Sequence, residues 1–169
     1  MPFTVVRNDI TKMRVDAIVN AANTGLREGG GVCGAIFEAA GADKLERACE
    51  RLAPIRTGDA VITPGFNLPA KFIIHAVGPV YDPEHAKQSE ELLRSAYVNS
   101  LTCAASNGCG SVAFPLISSG IYGYPKEEAI RIAASAIFSF LEKQELTIYL
   151  VIFDEDTFSL CKDLLGETS

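Results

Sequence analysis

A run of glycines carries the clearest chemical signal in the sequence. Gly29, Gly30 and Gly31 stand directly before a segment, from about Val32, whose apolar residues recur at helical spacing. Consecutive glycine N–H groups can converge on an anion, and the positive end of the following helix adds to the attraction, so phosphate is the natural guest. The run is not followed by the GK[ST] ending of a Walker A loop, and its glycines do not have the GxGxxG spacing of dinucleotide-binding proteins. Taken alone, a glycine run of this kind is more often an ordinary turn.

A second loop of the same kind lies later in the chain. The segment "SSGIYG", residues 118–123, again places small residues and a glycine between an apolar strand and a helix. In an open parallel sheet, ligands bind outside the carboxyl ends of the strands. We therefore expect both loops on one rim, where together they can hold a diphosphate from two sides.

Polar and aromatic side chains near these loops fit the rest of a nucleotide. Asn23 has the amide donors and acceptor that hold sugar hydroxyls, whereas Asn20 at a strand end is interpreted as tying down loop backbone. Asp9 either accepts from an exocyclic amine or caps a turn. Phe153 either stacks on a base or belongs to the core. His75, inside an apolar strand, is predicted to be a structural histidine.

Cys33 raises a separate question because it lies in the first turn of a predicted helix. A cysteine at a helix start is a candidate nucleophile. Neither His75 nor His85 belongs to the same motif to serve as its base, however, so we interpret Cys33 as a small packing residue. With an odd number of cysteines and no CxxC pair, we expect reduced thiols and neither a disulfide framework nor a metal site.

Composition limits the classes of function. The chain has 169 residues, 48% of them hydrophobic, and a net charge of −6. This size suits a single domain over residues 1–169, with no obligate oligomer indicated, so a monomer is expected. The absence of a long apolar run or a signal-peptide pattern predicts a cytoplasmic protein without a membrane partner. The acidic balance argues against nucleic acid, so a bound phosphate must be held by neutral donors.

Alternating patterns predict an α/β/α sandwich of three layers with a mixed, largely parallel six-stranded sheet. Strands are predicted at residues 3–6, 15–20, 59–66, 71–78, 111–117 and 147–153. Helices are predicted from about residue 32 with a break at Gly41 and a continuation over 42–52, and at 89–108, 125–144 and 157–166. Ser89 is the predicted N-cap of the second long helix and Gly108 its stop.

Taken in order, these motifs resemble the macrodomain family, whose members bind ADP-ribose. The matching segments are "RNDIT", "VDAIVNAAN", "GGGV…GAI", "GDAVITPGFNLPAKFIIHAVGP", "ISSGIYGYP" and "YLVIFDE". They cover essentially the whole chain, and six matches in order are far more specific than any one of them. Within the family, the sequence resembles the branch of protein ADP-ribose hydrolases and O-acetyl-ADP-ribose deacetylases.

The resemblance implies a role for each matching residue. Asp9 and Ile10 would hold adenine, on which Phe153 would stack. Asn23 would hold the distal ribose, and the loop that ends at Tyr122 would wrap the diphosphate. The implied ligand-binding set is Asp9, Ile10, Asn20, Asn23, Gly30, Gly31, Val32, Cys33, Ser118, Ser119, Gly120, Ile121, Tyr122 and Phe153. Asn23, Gly31 and Tyr122 are the implied catalytic residues.

One departure from the family pattern concerns catalysis. Where related hydrolases carry an aspartate and, four positions later, a histidine, this sequence has Cys33 and Phe37. We therefore predict hydrolysis of ADP-ribosyl esters by a water that the bound diphosphate orients, with no cofactor. The substrates would be O-acetyl-ADP-ribose or proteins ADP-ribosylated on Asp or Glu. The alternative is a reader module that binds ADP-ribose without turnover.

Overall fold

In the computed structural model, which describes residues 2–166, strands and helices alternate along the chain. The strands are β1 (Phe3–Arg7), β2 (Ala17–Ala21), β3 (Ala60–Pro64), β4 (Phe72–Ala76), β5 (Ser111–Phe114) and β6 (Thr147–Ile152). The helices are α1 (Gly31–Ala40), α2 (Ala42–Glu50), α3 (Ala86–Ser106), α4 (Lys126–Leu141) and α5 (Glu155–Leu165). Both ends of the predicted domain, Met1 and residues 167–169, lie outside the described residues.

The strands form one six-stranded sheet in the order β1-β6-β5-β2-β4-β3. Every neighbouring pair is parallel except β3 and β4, which are antiparallel. A short connection of residues 65–71 joins these two strands, and such a connection permits only an antiparallel pair. The predicted mixed, largely parallel sheet is confirmed.

Each face of the sheet has its own hydrophobic core. Side chains alternate along β2, so that Val19 packs into one core and Ile18 into the other. Helices α3, α4 and α5 cover the Val19 face, whereas α1 and α2 cover the Ile18 face. The predicted α/β/α sandwich is therefore confirmed. No helix in the described part of the chain is long and apolar enough to cross a membrane.

Two predicted helix starts are wrong. Asp82 caps a 3₁₀ turn (Pro83–His85) that leads directly into α3 at Ala86, so the helix begins three residues before Ser89. The buried Ser89 hydroxyl accepts from the Asp82 N–H at 3.2 Å instead of capping the helix. Helix α5 begins at Glu155, two residues before the predicted start, because the Asp154 carboxylate accepts from the Thr157 N–H at 2.9 Å. The predicted break at Gly41 is present.

His75 is a buried structural histidine, as predicted. Its ring lies on β4 and faces α1 and α2, with no exposed surface. Nδ1 lies 3.2 Å from the Asn20 side-chain amide and Nε2 lies 2.9 Å from the Thr63 hydroxyl. Burial lowers the pKa of His75 from its ordinary 6.5 to about 4. The ring is therefore neutral at neutral pH.

This shift predicts how stability depends on pH. Below pH 6.5 the unfolded chain takes up a proton at His75, whereas the folded protein resists protonation down to about pH 4. The stability associated with the neutral ring is therefore fully present above pH 6.5 and is lost as pH falls toward 4, at a cost of about 3 kcal/mol. Urea unfolding at pH 7, 5.5 and 4.5 should show a steeper loss in the wild type than in His75→Asn. An identical pH dependence in the two proteins would contradict the assignment.

Candidate functional site

A cavity of about 850 Å³ opens at the carboxyl ends of β1, β6, β5 and β2. Its walls come from the loops that follow these strands and from the first turn of α1. The lining residues are Asn8, Asp9, Ile10, Ala21, Ala22, Asn23, Gly29, Gly30, Gly31, Val32, Cys33, Ala35, Gly78, Pro115, Leu116, Ile117, Ser118, Ser119, Gly120, Ile121, Tyr122, Lys126, Val151, Ile152, Phe153, Asp154 and Thr157. Every residue of the predicted ligand-binding set lines it except Asn20.

The sheet order fixes the order of the loops along the cavity. Asp9 follows β1, Phe153 follows β6, residues 115–122 follow β5, and Asn23 follows β2. Neighbouring strands lie about 4.8 Å apart, so these loops are spread over roughly 14 Å of the sheet edge. The cavity is therefore an elongated cleft in which the residues predicted for adenine and those predicted for the distal ribose lie at opposite ends.

The glycine run supplies unpaired backbone donors to the cleft. Gly30 is the N-cap of α1 and has no side chain to cap the helix. The N–H groups of Gly31, Val32 and Cys33 belong to the first turn, where no intrahelical acceptor exists. Gly31 has a φ of 58°, a left-handed conformation that glycine adopts without strain. The positive end of α1 therefore faces the cavity with free donors.

The loop after β5 offers a second set of donors. Within residues 2–166, the N–H groups of Gly120, Ile121 and Tyr122 have no hydrogen-bond partner. The loop is nevertheless fixed, because the Tyr124 N–H donates to the Ser118 carbonyl at 2.9 Å. Ser118 itself has a φ of 67° and a buried hydroxyl without a partner. The predicted pair of donor loops is thus present on one rim of the sheet.

Two residues that sequence reasoning missed support the second loop from behind. Tyr97, fully buried on α3, donates its hydroxyl to the Pro115 carbonyl at 3.3 Å and accepts from the Ile117 N–H at 3.0 Å. Burial raises the pKa of Tyr97 above its ordinary range, so the hydroxyl keeps its proton. Gly78, after β4, packs so closely on Ile117 and Ser118 that a Cβ atom would overlap them. The only signal in the sequence for the role of Tyr97 was its position as a single tyrosine on the apolar face of a predicted helix.

At the predicted adenine end, the structure shows what Asp9 and Phe153 contact. One Asp9 oxygen accepts from the Thr11 N–H at 3.0 Å and from the Thr11 hydroxyl at 2.7 Å, so Asp9 does cap a turn. It also lines the cavity, where its second oxygen has no partner within residues 2–166. Phe153 is 71% exposed and lines the cavity, so it does not belong to the core.

At the opposite end, Asn23 and Cys33 both hold the backbone of Arg27. The Asn23 amide donates to the Arg27 carbonyl at 2.9 Å and accepts from the Arg27 N–H at 3.0 Å. The Cys33 thiol, 7% exposed, donates to the same carbonyl at 3.6 Å. The interpretation that Asn20 ties down loop backbone is wrong. Its Nδ2 lies 3.6 Å from the Cys33 sulfur and 3.2 Å from His75, because the side chain points into the core between β2 and α1.

Charge in the cleft is sparse. Asp9, Lys126 and Asp154 are the charged residues among those that line it, and Lys126 was missed by sequence reasoning. The hydrogen bond from the Thr157 N–H lowers the pKa of the Asp154 carboxyl, and Lys126 adds to this effect. Phe37 is 1% exposed in the core and contributes nothing to the cavity. Among the described residues, no cluster of His, Cys, Asp and Glu could hold a metal ion.

Comparison with known proteins places this geometry in a family. A family model described as Macro domain matches residues 19–133. A macro domain-containing protein of Mesorhizobium japonicum is 52% identical over 154 residues, which cover 90% of this chain and 86% of the relative. An O-acetyl-ADP-ribose deacetylase of Escherichia fergusonii is 47% identical over 170 residues, with 96% of this chain and 94% of the relative covered.

Solved structures agree with the sequence comparison. The Oceanobacillus iheyensis macrodomain with ADP superimposes with a TM-score of 0.90 at 41% identity, covering 95% of this chain and 88% of that one. The Trypanosoma brucei macrodomain in complex with ADP-ribose has a TM-score of 0.88 at 36% identity, covering 98% and 69%. The chain therefore belongs to the macro domain family.

Proposed function

We propose that this macrodomain binds ADP-ribose and hydrolyses esters between a carboxylate and the distal ribose. The substrates would be O-acetyl-ADP-ribose and proteins ADP-ribosylated on Asp or Glu. The order of loops along the cleft is the observation that carries the proposal. An aromatic and an acidic acceptor lie at one end, backbone donors lie in the middle, and an amide lies at the other end. Adenine, diphosphate and distal ribose follow one another in the same order.

Each part of the ligand meets suitable chemistry in this arrangement. The free Asp9 oxygen would accept from the adenine amine while Phe153 stacks on the ring and Ile10 lines the pocket. The N–H groups of Gly120, Ile121 and Tyr122 would bind one side of the diphosphate. Those of the first turn of α1 would bind the other side. The relatives named for ADP or ADP-ribose complexes support the same ligand.

Neutral backbone donors account for phosphate binding by a protein with a net charge of −6. A helix N-terminus carries about half a positive elementary charge without adding a basic residue. Lys126 contributes a formal positive charge, which the neighbouring Asp154 offsets. Binding therefore depends on geometry more than on net charge.

Hydrolysis would use the ligand's own phosphate as the base. A water held by the diphosphate adds to the ester carbonyl carbon, and the phosphate takes its proton. The bond between that carbon and the ribose oxygen then breaks, and the phosphate returns the proton to the ribose oxygen, which leaves as a hydroxyl. The acyl carbon is released as a carboxylic acid, which loses its remaining proton to solvent water. Asn23 would position the sugar beside Gly31, and Tyr122 would close the phosphate loop next to it. Such positioning can supply several kcal/mol of the barrier.

The surroundings of Cys33 argue against a thiol nucleophile. Its S–H group donates to the Arg27 carbonyl, and its sulfur accepts from Asn20. His75 lies behind Asn20 and bonds to that amide instead of to the sulfur, so no base reaches the thiol. Cys33 therefore serves as a buried support of the loop.

A reader module that binds ADP-ribose without turnover is the second candidate. Asp9 and Asp154, the carboxylates that line the described cleft, follow β1 and β6, whereas Asn23 follows β2 on the far side of β5. No carboxylate of the cleft is therefore placed beside the distal ribose as a base. The relatives named O-acetyl-ADP-ribose deacetylase favour the enzyme instead. An ester-linked substrate that is bound but never released would establish the reader.

Binding can be tested at Gly31. The variant Gly31→Val places a β-branched residue at a φ of 58° and a side chain in open space beside the donors, so we expect affinity for ADP-ribose to fall at least about tenfold. Calorimetry measures this directly. Gly108→Val is the matched control, because Gly108 also has positive φ and open surroundings but ends α3 away from the cleft. Equal affinities of both variants and the wild type would contradict the proposed diphosphate site.

Turnover can be tested at Asn23 and Cys33. We expect Asn23→Ala to lower kcat about 100-fold or more while binding remains measurable, because the amide positions the sugar. Cys33→Ala should keep at least about a fifth of kcat, since Arg27 remains held by Asn23. Release of acetate from O-acetyl-ADP-ribose is the measurement. An inactive Cys33→Ala that still binds ADP-ribose would instead indicate a thiol mechanism.

A further inference from the structure

A buried polar network, formed by Thr63, His75, Asn20 and Cys33, leads from the core to the wall of the cleft. Asn20 and His75 lie directly opposite each other on β2 and β4, and both are at least 99% buried. Thr63 lies on β3, the edge strand, on the far side of His75. Burying polar side chains costs free energy unless they are hydrogen-bonded, and apolar residues at these positions would fill the core without that cost. The burial of these four polar residues therefore suggests a role other than packing.

The contacts assign the proton on the His75 ring. The Asn20 Nδ2 atom carries only hydrogens, so His75 Nδ1, 3.2 Å away, is the acceptor. The ring proton is then on Nε2, which donates to the Thr63 hydroxyl at 2.9 Å. Cys49 lies 3.8 Å from the same nitrogen, and burial raises the pKa of its thiol to about 11, so no charge is present beside the ring. His75 therefore presents a neutral acceptor to Asn20.

The acceptor on His75 in turn fixes the Asn20 amide. In the observed orientation Nδ2 donates to both His75 and the Cys33 sulfur, and only the Asn20 oxygen is left without a partner. Rotating the amide by half a turn would leave both N–H donors of Nδ2 unpaired instead of one oxygen. Because Nδ2 approaches the sulfur, the thiol directs its own hydrogen toward the Arg27 carbonyl. That carbonyl also accepts from Asn23.

We propose that His75 is a positioning residue for the loop of residues 23–27, acting through Asn20 and Cys33 on the Arg27 carbonyl and thereby on Asn23. The network joins the sheet interior to the amide that faces the distal ribose under the proposed function. Its catalytic consequence rests on that function. Its effect on the loop does not, because every contact in the network is within the protein.

Two variants of His75 separate this role from packing. His75→Leu introduces an apolar side chain of similar length and removes the Nδ1 acceptor. His75→Asn keeps an oxygen acceptor near the place of Nδ1. We expect His75→Leu to speed hydrogen exchange of the Arg27 amide about tenfold, and His75→Asn to stay near the wild-type rate. Amides of the α3 core, such as that of Leu101, serve as the internal control and should be protected equally in both variants.

A double-mutant cycle tests the route through Cys33. In a Cys33→Ala background, adding His75→Leu should not accelerate Arg27 exchange further, because the connection is already broken. Additive effects would overturn the proposal, and so would equal effects of His75→Leu and His75→Asn. Should His75→Leu not fold, Thr63→Val replaces it. That variant removes the acceptor of the His75 Nε2–H group, and unchanged Arg27 exchange would likewise overturn the proposal.

Kinetic measurements distinguish failure of the positioning role of His75 from failure of the proposed enzymatic function. With O-acetyl-ADP-ribose, His75→Leu should lower kcat about fivefold with KM changed less than about twofold, and His75→Asn should restore most of the loss. A wild-type protein without turnover but with the expected exchange pattern would refute the enzyme and leave the positioning role intact. Normal kcat in a folded His75→Leu with accelerated exchange would refute the link to catalysis.

Discussion

Two sets of unpaired backbone N–H groups, held on one edge of a parallel sheet, are the feature on which this structure depends. The first turn of α1 has no acceptors of its own, and the loop after β5 leaves three consecutive donors without partners among the described residues. Because β5 and β2 are neighbours, the two sets face one cavity. An acidic protein can in this way offer an anion site without a basic surface.

Much of the interior behind the cleft serves to hold these loops in place. Tyr97 bonds the backbone of Pro115 and Ile117 at the start of the loop after β5, and Gly78 allows the neighbouring segment to approach Ser118 closely. On the other face of the sheet, His75 and Asn20 connect to Cys33 and to the loop that carries Asn23. The donors are therefore preorganised by buried hydrogen bonds, which reduces the reorganisation required on binding.

Local patterns in the sequence predicted the architecture and the two glycine-containing loops, whereas the full set of predicted cavity residues came from the family resemblance. Apolar strands alternate with amphipathic helices, and glycine-rich loops follow two of the strands. Residues whose roles depend on contacts distant in sequence were missed or misread. Tyr97 looks like a core residue until the loop after β5 is placed beside α3. Asn20 looked like a loop anchor because its partners Cys33 and His75 lie 13 and 55 residues away in the sequence. Ser89 failed as a cap because the preceding turn extended the helix.

A backbone NMR titration with ADP-ribose would show whether the N–H groups of both loops bind one diphosphate. The amide resonances of Gly31 and Val32 in the first loop, and of Ile121 and Tyr122 in the second, should shift together with a single dissociation constant. Shifts confined to one loop, or no shift in either at saturating ligand, would contradict the account.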